Sequence, residues 1–352
     1  MKAHRSSSVT LVALIVLAVT GCDNIDWGGV DIAVVEPPPR GTALDGDDAQ
    51  RELGPLPSGP VLYYVRGDSA GGAIVPVGEI AGDTLIPLGA GADPDLYGAR
   101  FISEHLRRGA EFTLFRRGAR VGTLVVQSAG VPDVTTCRRL PIARGTLEMI
   151  GRRDSTNAGF EFIALAKSAA PEGQRPSVPV RANVGHMRVA PILAERALRA
   201  RGSQLPGNWG AAMAQIQPFP VSNSGDAGLA STFLVDDQLA VGNDDIGYSL
   251  FMIAVPRADL TGYDTAYVRH NVYENGGKRA PRVIDFLDWD RDGGAELLLE
   301  VYGTKRSWYE TVGPVGRSGW ARGFVETCDQ EVTAANAARD SIRRDTVESG
   351  GP

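Results

Sequence analysis

The sequence contains few of the residues on which many catalytic and metal sites depend. It has three cysteines and four histidines in 352 residues, and the histidines lie far apart, at His4, His105, His186 and His270. A structural zinc site draws cysteine and histidine ligands from a close spacing, so the sequence does not indicate one. The G-x-S-x-G spacing occurs at residues 67–71, but between two predicted strands and not at the strand-to-helix turn of a nucleophile elbow. No histidine has a serine or cysteine neighbour in a recognised frame. Nothing here points to nucleophilic catalysis.

Positive charge is also scarce. Lysine and arginine number 36 against 42 acidic residues, which gives a net charge of −6, and the sequence shows no basic stripe. A mildly acidic chain of this kind argues against nucleic acid, and against an anionic lipid surface, as the main partner.

No apolar run is long enough for a membrane-spanning helix, which needs about 20 residues. The longest candidate, residues 11–19, follows a basic start and precedes small residues, which is typical of a signal peptide over residues 1–21. Its end, Val19-Thr20-Gly21-Cys22, resembles the lipobox of bacterial lipoproteins. The alternative is an ordinary secretory signal in which Cys22 is incidental.

The lipobox resemblance implies a membrane-anchored protein on the exported side of the bacterial cell envelope. In that family the cysteine, here Cys22, becomes the lipidated first residue of the mature chain. Several acyl chains would hold it stably, whereas one chain binds only marginally. Only Cys137 and Cys328 then remain, and two cysteines in an exported chain predict one disulfide. Two separate buried thiols are the alternative.

The composition favours a mainly β fold. Glycine (43 residues) and proline (22 residues) are frequent and the apolar runs are short, as in strands joined by turns. We expect a small β-barrel or sandwich, a short helical connector and a C-terminal β-domain. The predicted division is a Pro/Gly/acidic tether (22–59), a β-domain (60–168), a linker and helix (169–214), a second β-domain (215–328) and a polar tail (329–352).

Two local patterns are well defined. The stretch "EFTLFRRGARVGTLVVQ" alternates apolar and polar residues on both sides of Arg117-Gly118-Ala119, which predicts a hairpin. The stretch "MRVAPILAERALRARG" predicts a helix that ends at Gly202. Its arginines could form an anion site, although a solvated helix face is the better interpretation. The residues expected on its apolar face are Val189, Ile192, Leu193, Ala197 and Leu198.

An acidic loop, "DWDRDGGAE", separates two apolar stretches near the C-terminus. Counted from Asp288, its acids stand at positions 1, 3, 5 and 9, and Gly293 at position 6 allows a sharp turn. Calcium takes about six to eight oxygen ligands, so alternate carboxylates on a tight loop predict a calcium site. An EF-hand would need glutamate at position 12, where this sequence has Leu299.

The loop and its flanking strands resemble the FG-GAP repeats of integrin alpha-chain β-propellers, without the FG and GAP sequences themselves. In that family the loop binds calcium. The resemblance implies that the ligands here are Asp288, Asp290, Asp292, the carbonyl of Gly294, and Glu296. An acidic turn without a metal is the alternative.

A second, weaker copy of the loop is found upstream. Setting Gly225 against Gly293 aligns Ile216 with Ile284 and places serines where two of the aspartates stand. The copy at residues 220–228 keeps the turn and loses the charge. A propeller has about four to eight blades, so two modules cannot close one. We therefore expect two packed four-stranded units, completed by contacts with the first domain or its helix.

Function is less well indicated than location. The aromatic residues Trp289, Trp308, Tyr309 and Trp320 could form a carbohydrate or protein-binding face, but the core of a β-module is the better interpretation. A glycosidase needs two carboxyls across a cleft, whereas these acids crowd on one turn. The leading hypothesis is a non-enzymatic lipoprotein with a structural calcium loop and an unknown protein or glycan partner. A surface hydrolase or carbohydrate-active protein with an unrecognised cleft is the alternative.

Overall fold

The computed structural model describes residues 53–68, 71–132, 139–150, 159–171, 181–221, 227–242, 246–257, 259, 261–315 and 319–326. All of them belong to one compact unit. Several predicted features lie outside the described residues: the signal peptide with Cys22, the pairing of Cys137 with Cys328, the core of the upstream loop (222–226) and the polar tail.

A closed six-stranded antiparallel barrel forms the first half of the described chain. Its strands pair in the order β1-β7-β4-β5-β6-β2, and β1 pairs with both β7 and β2, which closes the ring. The predicted hairpin is confirmed as β4 and β5, and the prediction of a barrel or sandwich is confirmed as a barrel. The strands are β1 (Val61–Gly67), β2 (Gly72–Ala81), β3 (Thr84–Ile86), which extends β2 outside the ring, β4 (Glu111–Arg116), β5 (Ala119–Gly130), β6 (Ile142–Met149) and β7 (Glu161–Ala166).

The first barrel strand is apolar on both of its faces. Successive side chains of a strand point to opposite faces, and in β1 Tyr63 points into the barrel while Leu62 and Tyr64 point out. Strand β7 divides in the same way, with Phe162 inside and Ile163 outside. The outward residues are buried because the C-terminal half of the chain covers them.

A helix, α1 (Pro94–His105), packs against the barrel core through Tyr97 and Phe101. It begins where the Asp93 side chain accepts hydrogen bonds from the backbone N–H groups of Asp95 and Leu96. Such an N-cap contributes about 1 kcal/mol.

The second half of the described chain forms two four-stranded antiparallel sheets, which confirms the expectation of two four-stranded units. Each sheet is a meander whose strands neighbour in chain order. Ile216 and Ile284, aligned in the sequence, lie on the first strands of the two sheets. The strands are β8 (Met213–Pro220), β9 (Ala227–Val235), β10 (Tyr248–Pro256) and β11 (Tyr263–Val272), then β12 (Arg279–Leu287), β13 (Glu296–Gly303), β14 (Ser307–Val315) and β15 (Gly319–Val325).

These elements stack in four layers. Helix α2 (Val184–Arg199) packs on one face of the β8–β11 sheet, the β12–β15 sheet packs on its other face, and the barrel packs against the far side of the β12–β15 sheet. Each sheet can be covered on both sides because successive side chains of its strands point to opposite faces. In β10 Met252 faces the helix and Ile253 the next sheet, and in β13 Leu298 faces the barrel while its neighbours face the β8–β11 sheet. A shorter helix, α3 (Trp209–Ala212), leads into β8.

One prediction about helix α2 is wrong. Ile192 was expected on the apolar face, yet its side chain is 58% exposed. The buried face is formed by residues spaced three, four and seven apart, and each residue advances by about 100° round a helix. Ile192 is therefore turned well away from the buried Leu193 and Ala194. Proline at position 191 does not interrupt the helix.

The free edge of β12 joins the layers. Among the described strands it pairs only with β13, so alternate backbone groups on its other side need partners from elsewhere. Three successive strands of the β8–β11 sheet supply them with side chains. Ser249 Oγ donates to the carbonyl of Arg279 at 2.7 Å, Thr232 Oγ1 donates to that of Pro281 at 2.7 Å, and the Gln215 amide bonds both the N–H (2.7 Å) and the carbonyl (2.8 Å) of Val283.

The barrel completes the same edge through the β4–β5 turn. The backbone N–H of Arg117 lies 2.8 Å from each carboxylate oxygen of Asp285, and that of Gly118 donates to the carbonyl of Phe286 at 3.1 Å. Arg117 has a φ of 53°, which places its N–H in the turn. Burial raises the pKa of the Asp285 carboxyl to about 7, although the backbone N–H groups it accepts from and the charges of Arg116 and Arg117 act in the opposite direction.

This pKa predicts how stability depends on pH. The folded-state pKa of Asp285 lies above the ordinary 3.8, so the folded state holds the proton more tightly. The stability that this tighter proton binding contributes is fully present below about pH 4. It is lost as pH rises from there through 7, at up to about 1.4 kcal/mol of unfolding free energy per pH unit. Asp285→Asn keeps an oxygen for the N–H groups of Arg117 and Phe286 but cannot ionise. We expect urea midpoints to show that it gains stability over the parent between pH 4.5 and 7.5.

Two further variants complete this test. Asp285→Ala leaves the two N–H groups without an acceptor and should cost about 1–3 kcal/mol at every pH. Asp83→Asn, at an exposed position, should leave the pH profile unchanged. A parallel pH profile for Asp285→Asn and the parent would show that the carboxyl does not titrate in this range.

Candidate metal centre

The acidic loop connects β12 to β13, so the predicted strand, loop, strand arrangement is confirmed. The last residue pair of the hairpin is Leu287 with Glu296, and residues 288–295 lie between them. The loop is therefore closed at its base by the sheet. This placement brings the acid at position 9 back beside the acid at position 1.

Three of the four predicted carboxylates converge. One ligand oxygen from each of Asp288, Asp290 and Glu296 lies within 4.8 Å of the others, and among the described residues these three form the one such group. Calcium binds oxygen at about 2.3–2.6 Å, so two ligands of one ion stand at most about 5 Å apart. The trio therefore fits a single calcium ion.

The fourth carboxylate and the predicted carbonyl ligand belong to the turn. Asp290 accepts a hydrogen bond from the backbone N–H of Asp292 at 3.0 Å, and Asp292 accepts one from that of Gly294 at 2.7 Å. Arg291 and Gly293 both have positive φ, at 67° and 92°, and reverse the chain. Asp292 thus shapes the loop and does not lie with the other three carboxylates.

The loop is packed closely against the neighbouring strand β14. A Cβ added to Gly294 would stand 2.7 Å from Pro314 Cγ and 3.0 Å from Asp292 Oδ1, so a side chain there would displace the loop. Leu299, at the position where an EF-hand needs glutamate, is buried in the core between the two sheets. Both observations fit a strand-flanked loop.

Glu296 is the most perturbed acid of the trio. It is 1% exposed, and its Oε2 accepts a hydrogen bond from the backbone N–H of Trp289 at 3.0 Å. Burial raises its pKa to about 8, against the effect of that N–H, and the nearby Asp290 and Asp288 raise it further. Burial also raises the pKa of Asp288. Clustered carboxyls repel one another when all are ionised, which further raises the pKa values of Glu296 and Asp288. A bound cation would lower these pKa values again.

Trp289, inside the loop, attaches it to the barrel. Its side chain is 5% exposed and lies in the cluster between the β12–β15 sheet and the outer face of β1, with Leu62 and Tyr64. The interpretation of the aromatic residues as core is confirmed, because Trp308, Tyr309 and Trp320 are buried as well. They are therefore not arranged as an open carbohydrate-stacking face.

The three histidines in the described residues do not assemble into a catalytic group. His105 stacks on Phe101 at the end of α1, and His186 belongs to the capping box that begins α2. His270 Nδ1 lies 3.5 Å from Ser203 Oγ, which exceeds the roughly 2.6–3.2 Å of a nucleophile and its base.

Two buried ionic groups were not identified in the sequence. Lys278 Nζ donates to Asp237 at 2.7 Å and to the carbonyls of Gln238 and Ala240, and Tyr273 donates to the other oxygen of Asp237. All three ammonium protons are thus used, so Lys278 has a structural role. The stretch "ENGGKR" carried no signal of this, because its partner is distant in the chain.

Glu310 is the second such group and lies between the two sheets. Its carboxylate accepts from Trp308 Nε1 at 2.8 Å and from Arg269 Nη1 at 2.6 Å, and it is fully buried. A buried charge needs partners of this kind. The signal available in the sequence was the alternation of β14, which places Glu310 on the same face as Trp308.

No described helix has the length and apolar character needed to cross a membrane. Comparisons with protein-family models, with curated proteins and with solved structures found no match to this chain.

Proposed function

We propose that this chain is a non-enzymatic lipoprotein of the bacterial cell envelope, anchored through Cys22, in which calcium bound at the β12–β13 loop stabilises a layered β scaffold. The observation that carries the calcium assignment is the convergence of Asp288, Asp290 and Glu296 within 4.8 Å in a loop whose Trp289 packs against the barrel. The anchor rests on the lipobox resemblance.

Calcium acts here as a structural clamp. The ion neutralises carboxylates that otherwise repel one another at the base of the loop. Because Glu296 also holds the Trp289 backbone, fixing the carboxylates fixes the tryptophan that joins the sheet to the barrel. The Gly294 carbonyl, predicted as a ligand from the sequence, and water would complete the oxygen ligands.

A non-enzymatic role is the better supported of the two original hypotheses. The buried ionic groups, Lys278 with Asp237 and Glu310 with Arg269, are held by hydrogen bonds to neighbouring groups. A hydrolase needs an acid or base that faces substrate, and these groups face the interior of the protein. The partner remains a protein or glycan in this proposal.

The calcium site predicts a shift in thermal stability. A ligand that binds only the folded state stabilises it by about 2.7 kcal/mol at 100 times its Kd, or about 4–5 °C in a chain of this size. We expect calcium to raise the unfolding midpoint of the full chain in detergent, relative to the same protein with chelator. The double variant Asp290→Asn/Glu296→Gln should lose this shift, since it removes two charges while keeping an oxygen at each position.

The matched control is Asp259→Asn. Asp259 accepts a hydrogen bond from the backbone N–H two residues ahead, as Asp290 does, at 3.0 Å in both cases, but it lies outside the trio. It should keep the full calcium shift. If the parent does not respond to calcium, or if the double variant responds equally, the loop is an acidic turn without a metal.

The anchor predicts covalent lipid on one residue. A bacterium expressing the full chain and fed a fatty-acid analogue should label it, and Cys22→Ala should abolish the label. Cys137→Ala should leave the label unchanged, because that cysteine lies outside the lipobox. Label retained in Cys22→Ala, or absent from the parent, would contradict the proposed anchor.

A further inference from the structure

Helix α2 has an outer face unlike that of an ordinary solvated helix. Its inner face is buried against the β8–β11 sheet. On the opposite side two large apolar side chains are open to solvent, Val184 at 66% and Ile192 at 58% exposed, while Met187, 42% exposed, lies at the margin of the buried face. A single exposed apolar residue is common on a protein surface, whereas several on one helix indicate an interaction surface.

Cationic residues interleave with these apolar ones. Val184, Arg188, Ile192 and Arg196 follow one another at every fourth position, and residues with this spacing lie above one another along a helix. All four are exposed. The row therefore alternates aliphatic and guanidinium groups over about 18 Å of helix.

The other charges near this face leave it positive. Arg181 is exposed just before the helix. Arg199 pairs with Glu195 at 2.7 Å, so these two residues cancel. The chain as a whole carries a net charge of −6, which makes the basic face a local exception to an acidic protein.

We propose that this outer face of α2 docks on an anionic phospholipid surface. Basic and aliphatic residues on one helix face suit the boundary between headgroups and acyl chains, where the aliphatic groups enter and the cations remain at the phosphates. Guanidinium pairs with phosphate in a bidentate geometry. Arginine near an anionic leaflet strengthens binding by about fivefold per residue.

A lipid surface fits this face better than an acidic protein does. Protein interfaces concentrate their energy in a central, desolvated cluster of large side chains, but here each aliphatic group in the row is separated from the next by an arginine. The face is also the convex side of one helix. A lipid surface can accept dispersed insertions because its headgroups rearrange around them.

The helix is held ready for this contact. Ala190, Leu193 and Ala194 are buried against the sheet, so α2 does not have to fold when it docks. The inference goes beyond the proposed function and needs neither the calcium loop nor the lipid on Cys22. Should Cys22 be anchored, the 31 residues from it to Leu53 span up to about 100 Å when extended, and the anchor would then raise the local concentration of the helix.

The test places an environment-sensitive fluorescent amino acid at position 192 of the full chain. The labelled protein is then mixed with vesicles of phosphatidylcholine alone, or of phosphatidylcholine with 30% phosphatidylglycerol. We expect a blue shift only in the anionic vesicles, reduced by salt. The matched position is 86, where Ile86 is 47% exposed on β3, and it should show no shift. The absence of a shift at position 192, or an equal shift at both positions, would overturn the proposal.

Charge reversal separates this face from general electrostatic attraction. In a Cys22→Ala background, Arg188→Glu/Arg196→Glu should reduce the ratio of partitioning into anionic over neutral vesicles by at least about 25-fold, because it removes two cations and adds two anions. Arg107→Glu/Arg108→Glu changes the net charge equally at exposed positions after α1 and should retain most of the ratio. Circular dichroism checks that both variants are folded. An equal loss of the ratio in both double variants would contradict the proposal. No loss in the α2 double variant would contradict it as well, and is the result expected if the face binds a protein.

Discussion

The free edge of β12 is the constraint on which the arrangement of the layers depends. An unpaired strand edge exposes backbone groups that need hydrogen-bond partners once they are buried. Ser249, Thr232 and Gln215, from three successive strands, satisfy one half of this edge, and the turn at Arg117 and Gly118 satisfies the other. One strand thus fixes the β8–β11 sheet on one side and the barrel on the other.

Hydrophobic burial also depends on the way the layers are stacked. Most strands at the centre of the stack are apolar on both faces, because each face is covered by a different neighbour. Strand β1 divides its residues between the barrel interior and the β12–β15 sheet, and β10 divides its residues between helix α2 and that sheet. The acidic loop after β12 lies at the junction of the sheet and the barrel, and α2 forms the outermost layer at the other end.

Local features of this fold could be predicted from the sequence, and long-range ones could not. The β4–β5 hairpin, the helix near residue 190, the two four-stranded units and the strand-flanked acidic loop all carry a pattern of their own. Closure of the barrel depends on β1 pairing with β7, which follows it in the chain by about a hundred residues, and no local period encodes that. The buried partners of Lys278 could not be predicted for the same reason, since they come from a distant part of the chain. The exposure of Ile192 differs, because it follows from the advance of about 100° per residue round helix α2.

The two sheets differ at the position where their loops meet the rest of the protein. In the alignment of the two copies Trp289 stands opposite Val221. Trp289 crosses to the barrel, whereas Val221 packs within the core between the sheets. The second loop therefore makes a contact between separate parts of the fold, which Val221 does not make. The sequence places Asp290 and Asp292 where the upstream stretch has Ser222 and Ser224. The denser negative charge thus stands in the loop whose tryptophan joins the sheet to the barrel.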